Sequence, residues 1–302
     1  MRKSPLISVV LVSSRSFPEK IEICLTSLLN QSLSRDLFEV IVVDSGSGEM
    51  TLDYITDLQK EHSNLNIIIP GEGNIGPARG RNLGFSRARG DILAFTDDDI
   101  ELPKDWLLRI QNAYEKYPAV AGVGGMTLPP ESLIKRNIWA CFEKKMYLQK
   151  LKKEGEYFSE TRDEHPAYSG NISYRRDIFL KVGGFNEEFK QGIYGEDGDL
   201  KEKILKFGFK LAYIPVIATH HCEFTFLSFR KKEEKRGLSI LKYLIDHGIG
   251  KPSRFSIFLK LLLSPLSIFY YLRVTKNLTL AFLSSLALLY RQVGKLKYYG
   301  EV

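Results

Sequence analysis

Cysteine is scarce. The 302 residues hold three, Cys24, Cys141 and Cys222, and their odd number and wide spacing exclude a fully paired disulfide framework. Reduced thiols are expected instead. No G-x-x-x-x-G-K-[ST] string occurs, which removes a P-loop. No repeat period or low-complexity tract is present, so solenoids and collagen-like chains are excluded. The apolar run at 6–12 is too short for a signal-peptide core and no small-residue cleavage site follows it, so the body is expected in the cytoplasm. An excess of one charge is missing from most of the chain. Residues 1–229 carry 29 Lys/Arg against 32 Asp/Glu, whereas 230–302 carry 14 against 4, so the overall +7 divides into a −3 body and a +10 tail. Such a tail points to an anionic partner of that segment alone.

What is present suffices for a core: 44% hydrophobic and 12% aromatic residues exclude disorder, and the length allows one large domain or one domain with an appendage. Continuous apolar, β-branched runs at 6–12 (LISVVLV), 39–43 (EVIVV), 65–69 and 91–96 (DILAFT), with a shorter one at 120–123, predict strands of a parallel sheet. Helical spacing at 19–31, 50–61 and 76–89 falls between them, and Pro103 is placed at the first position of a further helix. The β-α-β-α order predicts an α/β fold whose binding crevice lies beyond the carboxyl ends of the strands.

The polar groups that end those strands are Ser13, Ser14 and Arg15, then Asp44-Ser45-Gly46-Ser47, then Asp97-Asp98-Asp99, together a nucleotide-sized polar site. The string Gly71-Glu-Gly-Asn-Ile-Gly76 fits G-x-G-x-x-G, but it follows the third strand and is bracketed by Pro70 and Pro77, so a plain strand-to-helix turn is expected. Asp97–Asp99 admits two readings: carboxylates capping the helix near Pro103, or a mutually repelling triplet relieved by a hard divalent cation that bridges phosphates. Gly195-Glu-Asp-Gly-Asp-Leu200 either caps a helix or offers a carboxylate base for a hydroxyl nucleophile. His220-His221, closing an apolar run that begins at Leu211, is a metal-ligand candidate against a structural role.

Taken in order, these strings resemble family 2 nucleotide-sugar glycosyltransferases with the GT-A fold. The resemblance runs through SVVLVSSRS (8–16), VVDSGS (42–47), NIGPARGRNLG (74–84), GDILAFTDDD (90–99), GGF (183–185) and GEDGDL (195–200). It implies a mostly parallel sheet flanked by helices, with a catalytic domain at 1–229. Ser13, Arg15, Asp44, Arg81, Asp97 and Asp98 would bind the nucleotide sugar, with Asp44 at the base and Arg81 and Asp97 at the nucleotide and ribose. Asp99 and His220 would hold Mn²⁺ or Mg²⁺, with His221 as the neighbouring alternative. Asp197 would be the catalytic base, and Asn171 and Glu196 would line the sugar and acceptor side. The chain departs from the family at Val12-Ser-Ser-Arg15, where P-T-Y-N is usual, and at Asp44-Ser45, where two acids are usual. Because the Q-x-x-R-W string of processive members is lacking, single-sugar addition is implied. The expected activity is inverting transfer from a nucleoside-diphosphate sugar, UDP foremost, to a glycan or lipid-linked acceptor in cell-surface polysaccharide synthesis. A nucleotidyltransferase or phosphotransferase on the same carboxylate site, and a non-catalytic sugar-nucleotide scaffold, are the alternatives.

In the tail, 261–272 and 277–290 are uncharged and mostly apolar, edged by Lys260, Arg273, Lys276 and Arg291. Both fall short of the ~20 residues that cross a bilayer. The segment 230–302 is therefore expected to form helices lying on an anionic membrane surface, at the cytoplasmic face and peripheral. A buried helical subdomain or oligomer contact, and a membrane hairpin, are the other readings. The run 230–236 (RKKEEKR) is consistent with a solvated helix face. No nucleic-acid partner is expected, because the tail is mainly aliphatic and carries no reading motif.

Overall fold

The computed structural model describes residues 5–14, 16–70, 73–161, 164–166, 169–189, 195–246 and 248–300. Its strands are β1 (Ile7–Ser13), β2 (Phe38–Asp44), β3 (Leu65–Ile68), β4 (Ile92–Asp97), β5 (Ile100–Glu101), β6 (Gly122–Leu128), β7 (Tyr157–Ser159), β8 (Ile172–Arg175) and β9 (Leu211–His220). The helices of the first half are α1 (Pro18–Leu29), α2 (Glu49–Glu61), α3 (Pro77–Arg87), α4 (Trp106–Lys116), α5 (Glu131–Ile134) and α6 (Ile138–Leu148). They are followed by α7 (Arg176–Lys181), α8 (Glu196–Lys206), α9 (Phe226–Asp246), α10 (Arg254–Leu263), α11 (Ser267–Thr275) and α12 (Leu278–Lys297). The chain divides into two units, one of Met1–Glu131, Lys144–Gln191 and Glu196–Cys222, the other of Ser132–Glu143, Gly192–Gly195 and Glu223–Val302.

In the first unit the strands run in the order β3-β2-β1-β4-β8-β6-β9-β5, with β7 beside β9. The apolar runs behave as their composition requires: every residue of β1 and β2 is buried, and the two pair in parallel with each other and, through β1, with β4. One side of the sheet packs Val9, Leu11, Val40 and Val42 with Ile21, Leu25 and Trp106; the other packs Val10, Ile41, Phe95 and Tyr174 with Phe179 and Leu200. The far half departs from the parallel expectation. Strand β8 lies antiparallel between β4 and β6, and β5 and β7 pair antiparallel with β9.

Helix α4 corrects a second expectation, for it begins at Trp106 and not at Pro103. The side chain of Gln31 explains the shift: its Nε2 donates to the Pro103 carbonyl at 2.9 Å, and its Oε1 accepts from Leu107 N at 3.0 Å. A side chain from α1's end thus satisfies a helix-start N–H and holds Pro103 outside the helix.

A buried histidine adds a pH dependence. His165 is 0% exposed, its Nε2 lies 3.0 Å from the Tyr147 carbonyl, and burial pushes its pKa down from 6.5 to about 4. The unfolded chain therefore takes up a proton that the native one does not, and the stability contributed by a neutral His165 is lost as pH falls from about 6.5 to 4. The expected loss is up to about 3 kcal/mol. Urea unfolding of wild type and His165→Gln at pH 7 and pH 4.5 checks this: wild type should lose more, and equal losses would assign the slope to other groups.

The second unit is helical. Helices α9 and α12 cross at glycines, where a Cβ on Gly237 would lie 2.1 Å from the Arg291 carbonyl and one on Gly294 1.9 Å from the Glu234 carbonyl. This closeness corrects the reading of 230–236 as a solvated face. Glu233 and Glu234 are buried, Glu233 pairing with Arg291 at 2.6 Å and with Arg236, Glu234 pairing with Arg230 at 2.7 Å and Lys297 at 3.4 Å. Trp139 packs against Phe229 with ring centroids 4.9 Å apart and the rings tilted by 34°. The apolar run of 261–272 also proves longer in structure than in sequence. Through a 3₁₀ turn at Ser264–Leu266, α10 and α11 join into the helical stretch Arg254–Thr275, which alone among the described residues is long and apolar enough to cross a membrane.

Candidate active site

Parallel register fixes the site's edge, because Ser13 stands opposite Asp44 and Val12 opposite Asp97. Asp44, 1% exposed, accepts from Ser47 N at 3.2 Å and Ser47 Oγ at 2.5 Å, closing a turn in which Gly46 takes φ +100°. Ser47 Oγ also lies 3.4 Å from Ser13 Oγ and accepts from Ser16 N at 3.0 Å. Ser13 Oγ in turn donates to Asp98 Oδ2 at 3.0 Å. The ends of β1, β2 and β4 are thus one hydrogen-bonded surface. Ser47 was among the strand-end groups read from the sequence, but Ser16 was not singled out there, where a serine in a turn is too common to stand apart.

The carboxylate triplet does not cap α4, which has Asp105 at its N-cap position, so the capping reading falls. The triplet instead turns into β5, where Ile100 pairs with His220 and the Asp99 carbonyl accepts from His221 N at 2.8 Å. His220 Nε2 consequently stands 3.2 Å from Asp99 Oδ2. Burial opposes charge on both groups, yet their mutual attraction prevails: the Asp99 carboxyl is held below the usual range and His220 is lifted to about 10. Burial and the neighbouring Asp99 and Asp97 charges push Asp98 up to about 6 against hydrogen bonds from Ser16 and Ser13. His221 turns elsewhere, its Nε2 2.8 Å from Glu101 Oε2.

Arg81 joins this edge to α8. Helix α3 lies directly on β1, since a Cβ on Gly84 would come within 2.3 Å of Val10 Cγ1 and one on Gly80 within 2.9 Å of Val12 Cγ1. That approach carries Arg81 inside, to 3% exposure. Its Nη2 donates to Asp97 Oδ1 at 2.8 Å and its Nη1 to Glu196 Oε1 at 2.8 Å, with Asp197 Oδ1 at 3.7 Å. Burial opposes the charge, but Asp97, Asp197 and Glu196 together raise the guanidinium's pKa further. One cation therefore gathers three carboxylates from β4's end and α8's first turn.

Asn171, expected on the sugar and acceptor side, is 2% exposed; its Oδ1 accepts from Trp106 Nε1 at 2.8 Å and its Nδ2 donates to the Met126 and Val216 carbonyls at 3.0 Å. This is a bracket inside the sheet, and the buried indole N–H of Trp106, which needs an acceptor, was its signal. Glu196 is likewise buried in its pair with Arg81, whereas the Asp197 side chain is 20% exposed. Arg15 lies outside the described residues, as do Gly71 and Glu72 of the G-x-G-x-x-G string; Gly76 simply precedes α3, with Pro77 at its first turn.

The fold is similar to that of GT-A glycosyltransferases of known structure. The fold matches that of the mannosyltransferase PcManGT from Pyrobaculum calidifontis, solved with GDP-Man and Mn²⁺, at TM-score 0.61 and 17% identity over 99% of this chain and 76% of that one. It also matches GalNAc-T7, solved with UDP, GalNAc and Mn²⁺, at TM-score 0.56 and 13% identity over 79% of this chain and 48% of that one. The profile of glycosyl transferase family 2 covers residues 8–183, and the chain belongs to that family. Among curated relatives, a glucosyl-dolichyl phosphate glucuronosyltransferase of Haloferax volcanii is 31% identical over 57% of this chain and 51% of its own length. A dolichyl N-acetyl-α-D-glucosaminyl phosphate 3-β-D-2,3-diacetamido-2,3-dideoxy-β-D-glucuronosyltransferase of Methanococcus voltae is 27% identical over 76% of this chain and 67% of its own. The chain thus spans about half of the first relative and two thirds of the second.

Proposed function

We propose that the protein is an inverting, metal-dependent glycosyltransferase that moves one sugar from a nucleoside-diphosphate sugar, UDP foremost, to a lipid-linked or glycan acceptor in cell-surface polysaccharide synthesis. The observation that carries this reading is the continuous polar edge, in which Ser13, Asp44 and Asp98 are hydrogen-bonded on one side and Arg81 ties Asp97 to Glu196 and Asp197 on the other. In this reading Asp44 faces the base, Asp97 and Arg81 hold the nucleotide and ribose, and Asp197 accepts the proton of the acceptor hydroxyl. The acceptor oxygen then attacks the anomeric carbon opposite the departing nucleoside diphosphate. The names of the two dolichyl-phosphate relatives favour a lipid-linked acceptor.

The donor set fits a divalent cation. Asp99 and His220 converge at 3.2 Å, His220 would give up its proton to hold the ion, and no group of three or more His, Cys, Asp and Glu closes a cage among the described residues. Two protein ligands suit a hard ion that completes its shell with diphosphate oxygens and water. Mn²⁺ or Mg²⁺ held there would supply neutralisation of charge on the leaving diphosphate. Calorimetric titration with UDP-, GDP- and dTDP-sugars tests the reading. One donor should bind in the presence of the ion, and Asp99→Ala should weaken that binding by about tenfold or more, ~1.4 kcal/mol. Equal affinity with and without chelator counts against it.

The C-terminal unit is assigned to the cytoplasmic membrane surface, as a peripheral element. Along Arg254–Thr275, Ile257 and Ser264 are buried while Phe255 and Phe269 are 74% and 71% exposed, a one-sided apolar face of the kind that lies in an interface.

A further inference from the structure

Two lysines on neighbouring helices of the C-terminal unit have no counter-ion. Lys260 is on α10 and Lys295 on α12, and neither ammonium has a hydrogen-bond or ion-pair partner among the described residues. Their meeting follows from the packing. Helices α10 and α12 run antiparallel, with the Ser264 carbonyl accepting from Ser285 Oγ at 3.0 Å at one end and the Arg254 guanidinium 4.9 Å from the Tyr299 ring centre at the other. Lys260 lies one turn past the buried Ile257, and Lys295 one turn past the buried Gln292. Helical side chains lean toward their own N-terminus, so in antiparallel neighbours each lysine leans toward the level of the other. Partial burial, with the charges of Lys260 and Arg291, accordingly lowers the Lys295 pKa. Arg291 is itself already paired with Glu233 at 2.6 Å.

Exposed lysines that repel can swing apart, but Lys295 is half-buried against its neighbours. An anion that accepts from both removes the repulsion. The surroundings indicate which. Phe255, Phe258, Leu259, Leu262, Leu266 and Phe269 are exposed at helical spacing on the side of α10 and α11 away from Ile257 and Ser264. With that stripe in the acyl boundary, cationic side chains at its flank reach the level of lipid phosphates.

We propose that Lys260 and Lys295 together form a binding site for the phosphodiester group of a membrane lipid. The site is filled when the apolar stripe of α10 and α11 lies in the bilayer surface. The proposal rests on the membrane-surface reading above and adds a specific headgroup contact to it.

The test uses the full chain and vesicles of neutral digalactosyldiacylglycerol, which has no phosphate. The vesicles are doped at equal mole fraction with phosphatidylglycerol or with a carboxylate-headed diacylglycerol succinate of the same charge. Wild type should bind the phosphatidylglycerol vesicles about fivefold more tightly, the size of one further basic contact at a charged surface. Lys260→Met/Lys295→Met should bind both vesicles alike. Lys231→Met/Lys276→Met, which removes as much charge from exposed positions, should keep the preference. Circular dichroism should show unchanged helix content in both variants. No preference in wild type, or a preference kept by Lys260→Met/Lys295→Met, overturns the site. Saturation of the Lys295 ε-methylene NMR shift by millimolar inorganic phosphate without vesicles overturns the lipid assignment. Retention on vesicles without preference sinks this proposal alone, whereas failure to bind any vesicle sinks the membrane-surface reading with it.

Discussion

Arg81→Met is expected to lower the unfolding free energy by about 3–5 kcal/mol, the range for removing one partner from a buried ion pair, and to leave no measurable transfer. The arginine is buried and carries the positive charge that faces Asp97, Glu196 and Asp197. Methionine fills much of the same volume, so the loss is electrostatic and not a cavity. Glu196, whose side chain is 6% exposed, then loses the guanidinium it meets at 2.8 Å. Asp97 is 35% exposed and water can relieve it, so most of the deficit belongs to α8's first turn. Arg81→Lys should lose less stability yet still fail to join both elements, because a single ammonium lacks the guanidinium fork that meets Asp97 and Glu196 at 2.8 Å each. Urea unfolding at pH 7.5 provides the measurement. A midpoint for Arg81→Met equal to that of wild type at pH 7.5 would show that Arg81 is not the tie between these elements.

The parts of this molecule that were legible in its sequence are those where burial on both faces dictates composition. Strands β1, β2 and β4 fall within a residue or two of the apolar runs that announced them. The antiparallel additions were not legible: β5 has two residues and β8 is the four-residue ISYR, too short for either an alternating or a continuous pattern. In the site, residue types at strand ends could be read, because the crevice of an α/β sheet must lie there. Pairings could not. Arg81 meets Glu196 across 115 positions and Asp97 across 16, and no local pattern encodes that. The tail shows the same limit. Charges at Lys260 and Arg273 end an apolar run but not a helix, since Lys and Arg are good helix formers, so the stretch runs through both. The run 230–236 shows only mixed charge, whereas the burial of Glu233 and Glu234 depends on glycines at 237 and 294 that let two helix backbones touch.

Asp197→Asn should leave donor affinity within a few-fold of wild type while transfer falls by ~10² to 10⁴, the contribution typical of a positioned general base. The two neighbouring acids of α8 differ in burial. Glu196 forms a 2.8 Å pair with Arg81, whereas Asp197 stands 3.7 Å from the same guanidinium with a side chain 20% exposed. In the proposed reading the second presents an oxygen to the incoming hydroxyl. Asparagine keeps its size and its place in the first turn of α8 but cannot take a proton, so the change acts on the transition state and little on ground-state binding. Glu196→Gln is the contrasting variant: it weakens the tie to Arg81, so it should lower the urea midpoint before it lowers the chemistry of the folded fraction. Donor titration calorimetry paired with single-turnover transfer to a lipid-phosphate-linked sugar separates the two. Near-normal single-turnover rates in Asp197→Asn would remove the base assignment, and a tenfold or greater loss of donor affinity would place Asp197 among the donor ligands instead.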